Sequence, residues 1–285
     1  MVKVGNLYYF LFIFITLILF ISFYLFLKKK SKKYQYNFIL IICFLNLTLH
    51  FLKLFFEPYV SDFPYSIRKI TFENICAIST LLLPFVVLYK KSSILNNYFF
   101  FISLAGGLGA IFYPTEAFNK NLLSFDVLRF YYCHITLFLV PTLAGSIGLF
   151  RPNYKKFYQI PILFLTIEML ILINEFLLYK TGLISSSITE FFSRETRNSS
   201  FVFGPLPAFD KIANILLIFV PKIFTKNIFH IEGLDVFYWP VVWMIIPAFI
   251  YLPLIYEIII LPFSYKDIRQ DISNRHNKGT IKCKD

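Results

Sequence analysis

Leu7–Lys33 reads LYYFLFIFITLILFISFYLFLKKKSKK. Its apolar run is about 20 residues long, the length that carries an α-helix across the hydrocarbon of a bilayer. The lysines follow the run instead of preceding it, and no small-residue cleavage site is present. The segment is therefore expected to stay in the mature chain and not to be removed as a signal peptide. Working outward, comparable runs occur at about 37–56, 72–89, 98–113, 127–149, 158–179 and 237–262. The chain of 285 residues is 58% hydrophobic and 15% charged, with a mean hydropathy of +0.67, too apolar for a soluble domain. The expectation is an all-α polytopic membrane protein: a seven-transmembrane-helix bundle over residues 1–265 and a basic tail over 266–285.

The net charge of +12 would suit a nucleic-acid binder only if it formed a basic face on a soluble fold. It is spread over alternate loops instead. Lys28, Lys29, Lys30, Lys32 and Lys33 lie between the first two segments, Lys90 and Lys91 between the third and fourth, and Arg151, Lys155 and Lys156 between the fifth and sixth. Lys266, Arg269, Arg275, Lys278, Lys282 and Lys284 lie in the tail. The positive-inside rule then predicts the amino terminus out and the carboxy terminus in. The expected partners are membrane lipids and not nucleic acid, with the chain multi-pass in a bacterial plasma membrane. Residues 180–236 break the pattern: the apolar piece at 209–221 lies between prolines and is too short to cross, so a re-entrant or interfacial helix is expected. Asn198-Ser199-Ser200 is a formal glycosylation sequon. The cysteines Cys43, Cys76, Cys133 and Cys283 follow no CxxC spacing, and no disulfide framework is expected.

Polar residues inside apolar segments are disfavoured in lipid and therefore informative. Asn46, His50 and Lys53 share a face of the second segment. Glu73, Asn74, Cys76 and Thr80 open the third. Asp126, Arg129, Tyr131, Cys133 and His134 open the fifth, and Glu168, Asn174 and Glu175 lie on the sixth. Counting 1.5 Å per residue from the outer ends puts His50, Cys76, His134, Asn174 and Glu175 in one layer, with Glu168 and Glu257 off it. A thiol becomes nucleophilic only as a thiolate, so Cys76 needs a base, and His134, roughly 5 Å from it in depth, is the candidate. The structural readings are equally definite: Cys76 and Cys133 as small packing residues, the histidines as interhelical hydrogen-bonders, Arg129 as a partner of Asp126, and Lys53 as a snorkelling side chain. Ala105–Ala110, AGGLGA, lacks the Lys-Ser/Thr of a phosphate loop and reads as a small-residue packing face, so no cofactor is expected.

GGLGAIFYP at Gly106–Pro114, followed by Phe125-Asp126, Tyr131-Tyr132, His134 and Val140-Pro141, resembles the pattern of YwaF-like integral membrane proteins. That family includes a eukaryotic protein regarded as a cysteine-dependent ether-phospholipid acyltransferase. Asn74-Ile75-Cys76-Ala77 is similar to the family's Asn-Pro-Cys-His, keeping the Asn and Cys and losing the Pro and His, and Asn198 with Pro205 resembles an Asn-containing external segment. The resemblance implies seven helices, Cys76 as an acyl-accepting nucleophile and His134 as its base. The residues leave three functions open. In a phospholipid acyltransferase, Asn74 and His50 would support the reaction and Arg129 would meet the phosphate. An intramembrane metal hydrolase would use His50, His134 and Glu73 or Cys76. In a transporter or receptor the same layer, with Glu175 and Asn174, would hold a polar ligand; no internal repeat favours that reading.

Overall fold

The computed structural model describes residues 1–89, 92–184, 186–195, 200–228, 230–234 and 236–282, apart from the side chains of 208, 212 and 275–282. Lys90, Lys91, the Asn198-Ser199 pair, Cys283, Lys284 and the distal tail side chains named above lie outside these residues. All regular structure among them is helical, and Val2 and Phe118 form an isolated bridge that docks the amino terminus.

Helix α1 (Leu7–Leu27) starts where the Asn6 side chain accepts from the Tyr9 amide. Only Phe12, Thr16 and Leu27 of it are buried, as expected of a helix whose other faces meet lipid instead of protein. Helix α2 (Lys32–Leu52), capped by Ser31, buries Gln35, Ile39, Cys43, Asn46 and His50, a stripe at helical spacing. A 3-10 turn at Lys53–Phe55 extends it.

The third segment is broken. Helix α3 (Phe63–Ile70) is capped by Asp62, and α4 (Ile75–Leu88) leaves it at a bend of 53°. The break is local chemistry: Asn74 adopts an extended backbone and its Oδ1 accepts from the Ala77 amide, the side-chain competition that makes Asn a helix starter. The apolar run at 72–89 hides it, because hydropathy does not register a cap.

Helices α5 (Ser93–Tyr98) and α6 (Leu104–Phe112) join through a π-helical turn at Phe99–Ser103 into one span. This span begins before residue 98 because its polar first turn, with Asn96 and Asn97, is helical too. Helix α7 (Phe125–Ser146), with 72% of its apolar window buried, is the axis of the bundle. Gly107 of α6 lets that helix close on α7, since a Cβ there would sit 2.8 Å from the His134 carbonyl oxygen and the Phe138 nitrogen. Helix α8 (Gln159–Lys180) follows. Prolines inside α4, α7 and α11 (Pro84, Pro141, Pro253 and Pro262) are tolerated where neighbouring helices re-satisfy the backbone.

Beyond α8 come two short helices, α9 (Ile188–Phe191) and α10 (Asp210–Leu217). At about 1.5 Å per residue α10 is far too short to cross. Helix α11 (Ile245–Lys282) does not stop at residue 262. Its distal part is tied to the α7–α8 loop by Arg151–Asp267 at 3.4 Å and by contacts of Tyr154 and Lys155 with Asp271. Among the described residues, six helices are long and apolar enough to cross a membrane, and seven if the bent α3–α4 pair is one span.

Candidate functional site

A buried polar cavity of about 40 Å³ lies where α2, α4 and α7 meet the loop after α6, room for roughly three waters. The first-turn position of Cys76 follows from the Asn74 cap: it is the second residue of α4 and so lies at the positive end of the helix, where a thiolate is favoured. Ile75 donates its amide to Ser200 Oγ at 3.1 Å, and Ala77 donates to Asn74. The Cys76 amide is left without a protein acceptor among the described residues. Gly106 packs over the sulfur, since a Cβ there would sit 3.3 Å from it. From α7, His134 donates its Nδ1 hydrogen to the Phe130 carbonyl at 2.8 Å. A carbonyl only accepts, so this fixes the Nδ1–H tautomer when the ring is neutral and leaves Nε2 as a base.

Charge surrounds the pair. Lys69 bridges Glu73 at 2.9 Å and Glu116 at 2.8 Å. Arg68 reaches Glu73 at 3.2 Å and Glu175 at 2.9 Å. Arg129 pairs with Asp126 at 2.9 Å and lies 3.9 Å from Glu116. Tyr59, outside the helices, donates to Asp126 at 2.6 Å and accepts from Arg129 at 3.0 Å; burial raises its pKa and keeps it a neutral phenol. Lys53 is different. It is 3% exposed, its Nζ donates to the Lys69 carbonyl at 2.5 Å, and no carboxylate pairs with it among the described residues.

Of the residues singled out from sequence, His50, Glu73, Asn74, Cys76, Arg129 and His134 line this one cavity. Asn74 spends its oxygen on the cap, and His50 Nε2 donates to the Ile70 carbonyl at 3.1 Å. Glu175 and Asn174 stand one layer back: Glu175 holds Arg68, and Asn174 donates to Thr71 Oγ1 at 3.1 Å. Tyr131 faces away, stacked on Phe12 with centroids 3.5 Å apart. Lys53 does not snorkel: the 3-10 turn directs it inward, where the Lys69 carbonyl holds it. Cys133 also lines the cavity. Lys69 and Glu116 were missed because both sit where the apolar runs end. The i,i+4 spacing of Lys69 and Glu73 was the available signal. No group of three His, Cys, Asp or Glu among the described residues is disposed to hold a metal ion.

Helices of crossing length around a buried polar cavity define a multi-pass integral membrane protein. The TMEM164 family profile matches residues 4–256, and the chain belongs to the TMEM164 family. No curated protein and no solved structure matches it significantly.

Proposed function

We propose that the protein is a lipid acyltransferase with Cys76 as the nucleophile. The observation that carries this is the meeting of Cys76, the unblocked Nε2 of His134 and the carboxylate-free ammonium of Lys53 in one cavity at the start of α4. His134 Nε2 takes the thiol proton, and the sulfur attacks the carbonyl carbon of an acyl ester. The oxyanion forms beside the Cys76 amide, a preorganised donor. The imidazolium returns its proton to the departing alkoxide, leaving a thioester on Cys76 and a free alcohol. A second alcohol then gives its proton to Nε2, attacks the thioester and takes the acyl group, and the proton restores the thiol. Arg129 is occupied by Asp126 and Tyr59, so Lys53 is the better receptor for a headgroup phosphate.

The lysine-rich loop between α1 and α2 lies at the opposite end of the bundle from the cavity. With the positive-inside rule this supports a site opening to the outer leaflet of a bacterial plasma membrane. The test is covalent labelling of the full chain in membranes with an alkyne-tagged acyl donor. Label that is released by hydroxylamine and absent from Cys76→Ala is expected. Undiminished transfer by Cys76→Ala ends the proposal.

A further inference from the structure

A second cavity, of about 350 Å³, runs beneath α10 between α8 and α11, within the size range of small-molecule sites. Its walls are Phe164 of α8, Ala213 and Leu216 of α10, and Ala248, Leu252 and Ile255 of α11. The polar groups of its two amphipathic wall residues are turned to protein. Tyr251 OH donates to the Ile215 carbonyl at 2.8 Å, and Trp243 Nε1 donates to the Phe201 carbonyl at 3.0 Å. From Pro247 to Ile255 the lining follows α11 for about 12 Å.

Two features say what belongs in it. Ile255, which lines the groove, is 43% exposed, so the groove opens onto surface that faces hydrocarbon in a membrane. Its wall is also tied to the start of α4. Phe201 lines the groove, and its neighbour Ser200 accepts the hydrogen bond from the first residue of α4, next to Cys76. Phe201 has φ of +64°, costly for a bulky residue. It is held there by the Trp243 bond and by Val241 N donating to the Val202 carbonyl at 3.0 Å. The structure thus commits strained backbone to the segment that joins the groove wall to the start of α4.

We infer that this groove binds a single lipid acyl chain, end-on to Cys76, and sets the length of chain presented there. Its role in presentation rests on the reading of Cys76 above; its occupancy by lipid does not. A chain drawn from the bilayer gains little hydrophobic free energy in an apolar groove, so the groove acts by shape and selects instead of concentrating.

The full chain is reconstituted with a phosphatidylcholine bearing a diazirine along one acyl chain, irradiated and mapped by mass spectrometry. Adducts concentrated on the α10 and α11 wall are expected. Ala248→Trp, and the milder Leu216→Phe should Ala248→Trp not fold, reduce them about tenfold by overpacking. Label on the lipid-facing α1 stays constant, and the chain length transferred shifts shorter. Wall labelling no denser than that of α1 overturns the inference. So does an Ala248→Cys chain that forms a disulfide-linked dimer while the wall stays unlabelled, which would assign the groove to a second copy. Wall labelling that persists while no acyl group reaches Cys76 sinks the acyltransferase reading and leaves lipid occupancy standing.

Discussion

The two ends of the bundle solve the burial of polar groups in opposite ways. At the end away from the cavity, Asn97 is fully buried. Its Oδ1 accepts from the Asn153 amide and from Tyr256 OH, each at 2.8 Å, and its amide nitrogen lies 3.3 Å from Gln159 Oε1. That cluster is neutral, nearly saturated and joins α5, the α7–α8 loop and α11. At the other end Lys53, Lys69 and Arg129 crowd with Glu73 and Glu116 around open space. Neutral saturated amides lock a fold. Charges held around open space inside a membrane protein are costly in a bilayer and mark a functional-site hypothesis. The difference sets a neutral, bonded scaffold at one end against a charged cavity at the other.

Predictions that would break this contrast begin with the largest effect. His134→Gln lowers acyl transfer about 10²–10⁴-fold, the usual weight of a general base, with thermal stability close to the parent. A parental rate would make His134 a packing residue and the cavity end another lock. Glu73→Gln removes the carboxylate shared by Arg68 and Lys69. Arg68 keeps Glu175 and Lys69 keeps Glu116, so the loss is that of hydrogen bonds to charged groups, about 1.5–3 kcal/mol, read as a fall in the thermal midpoint in detergent; an unchanged midpoint would show that the network does not support the fold.

How much of this could be read from the chain follows from what hydropathy measures. The spans of α1, α2, α7 and α8 were legible because length and apolarity alone define a crossing, and so were the helical spacing of Asn46 and His50 and the depth shared by Cys76 and His134. The α3–α4 break was not, because one Asn side chain bonded to Ala77 N decides it. Nor was the inward course of Lys53, which depends on a 3-10 turn at its own position. Tyr131 belongs to the Tyr-Tyr pair of the family resemblance, yet a motif leaves the direction of a side chain open, and Phe12 of α1 claims its ring. Glu116 lies in what reads as a loop, and the packing of α3 and α7 against it gives it Lys69 and Arg129 as partners.

Asn97→Ala sharpens the contrast from the scaffold side. It strands the Asn153 amide and leaves the Tyr256 hydroxyl only its longer bond to the Asn153 carbonyl at 3.3 Å, at about 1–3 kcal/mol for a buried unpaired group, yet lies far from the cavity. Stability should fall while acyl transfer by the folded fraction is unchanged; a selective loss of transfer would mean that the two ends are coupled.

The smallest effect is expected beyond the lock, where α11 extends past its apolar part. Arg151 and Asp267 are paired at 3.4 Å, but their side chains are 56% and 45% exposed. Water screens such a pair, and two long side chains lose entropy in holding it, so Arg151→Ala should cost about 0–1 kcal/mol. The pair at Lys69–Glu73 is shorter, at 2.9 Å, and 11% and 3% exposed. If burial and not distance separates the two, raising the salt concentration should erase the Arg151 effect and leave that of Glu73→Gln intact, because a Debye length of about 8 Å at physiological salt screens exposed charges first. Equal salt sensitivity would place the cavity in contact with bulk solvent, and the account of a secluded charged site would have to give way to one of an open cleft.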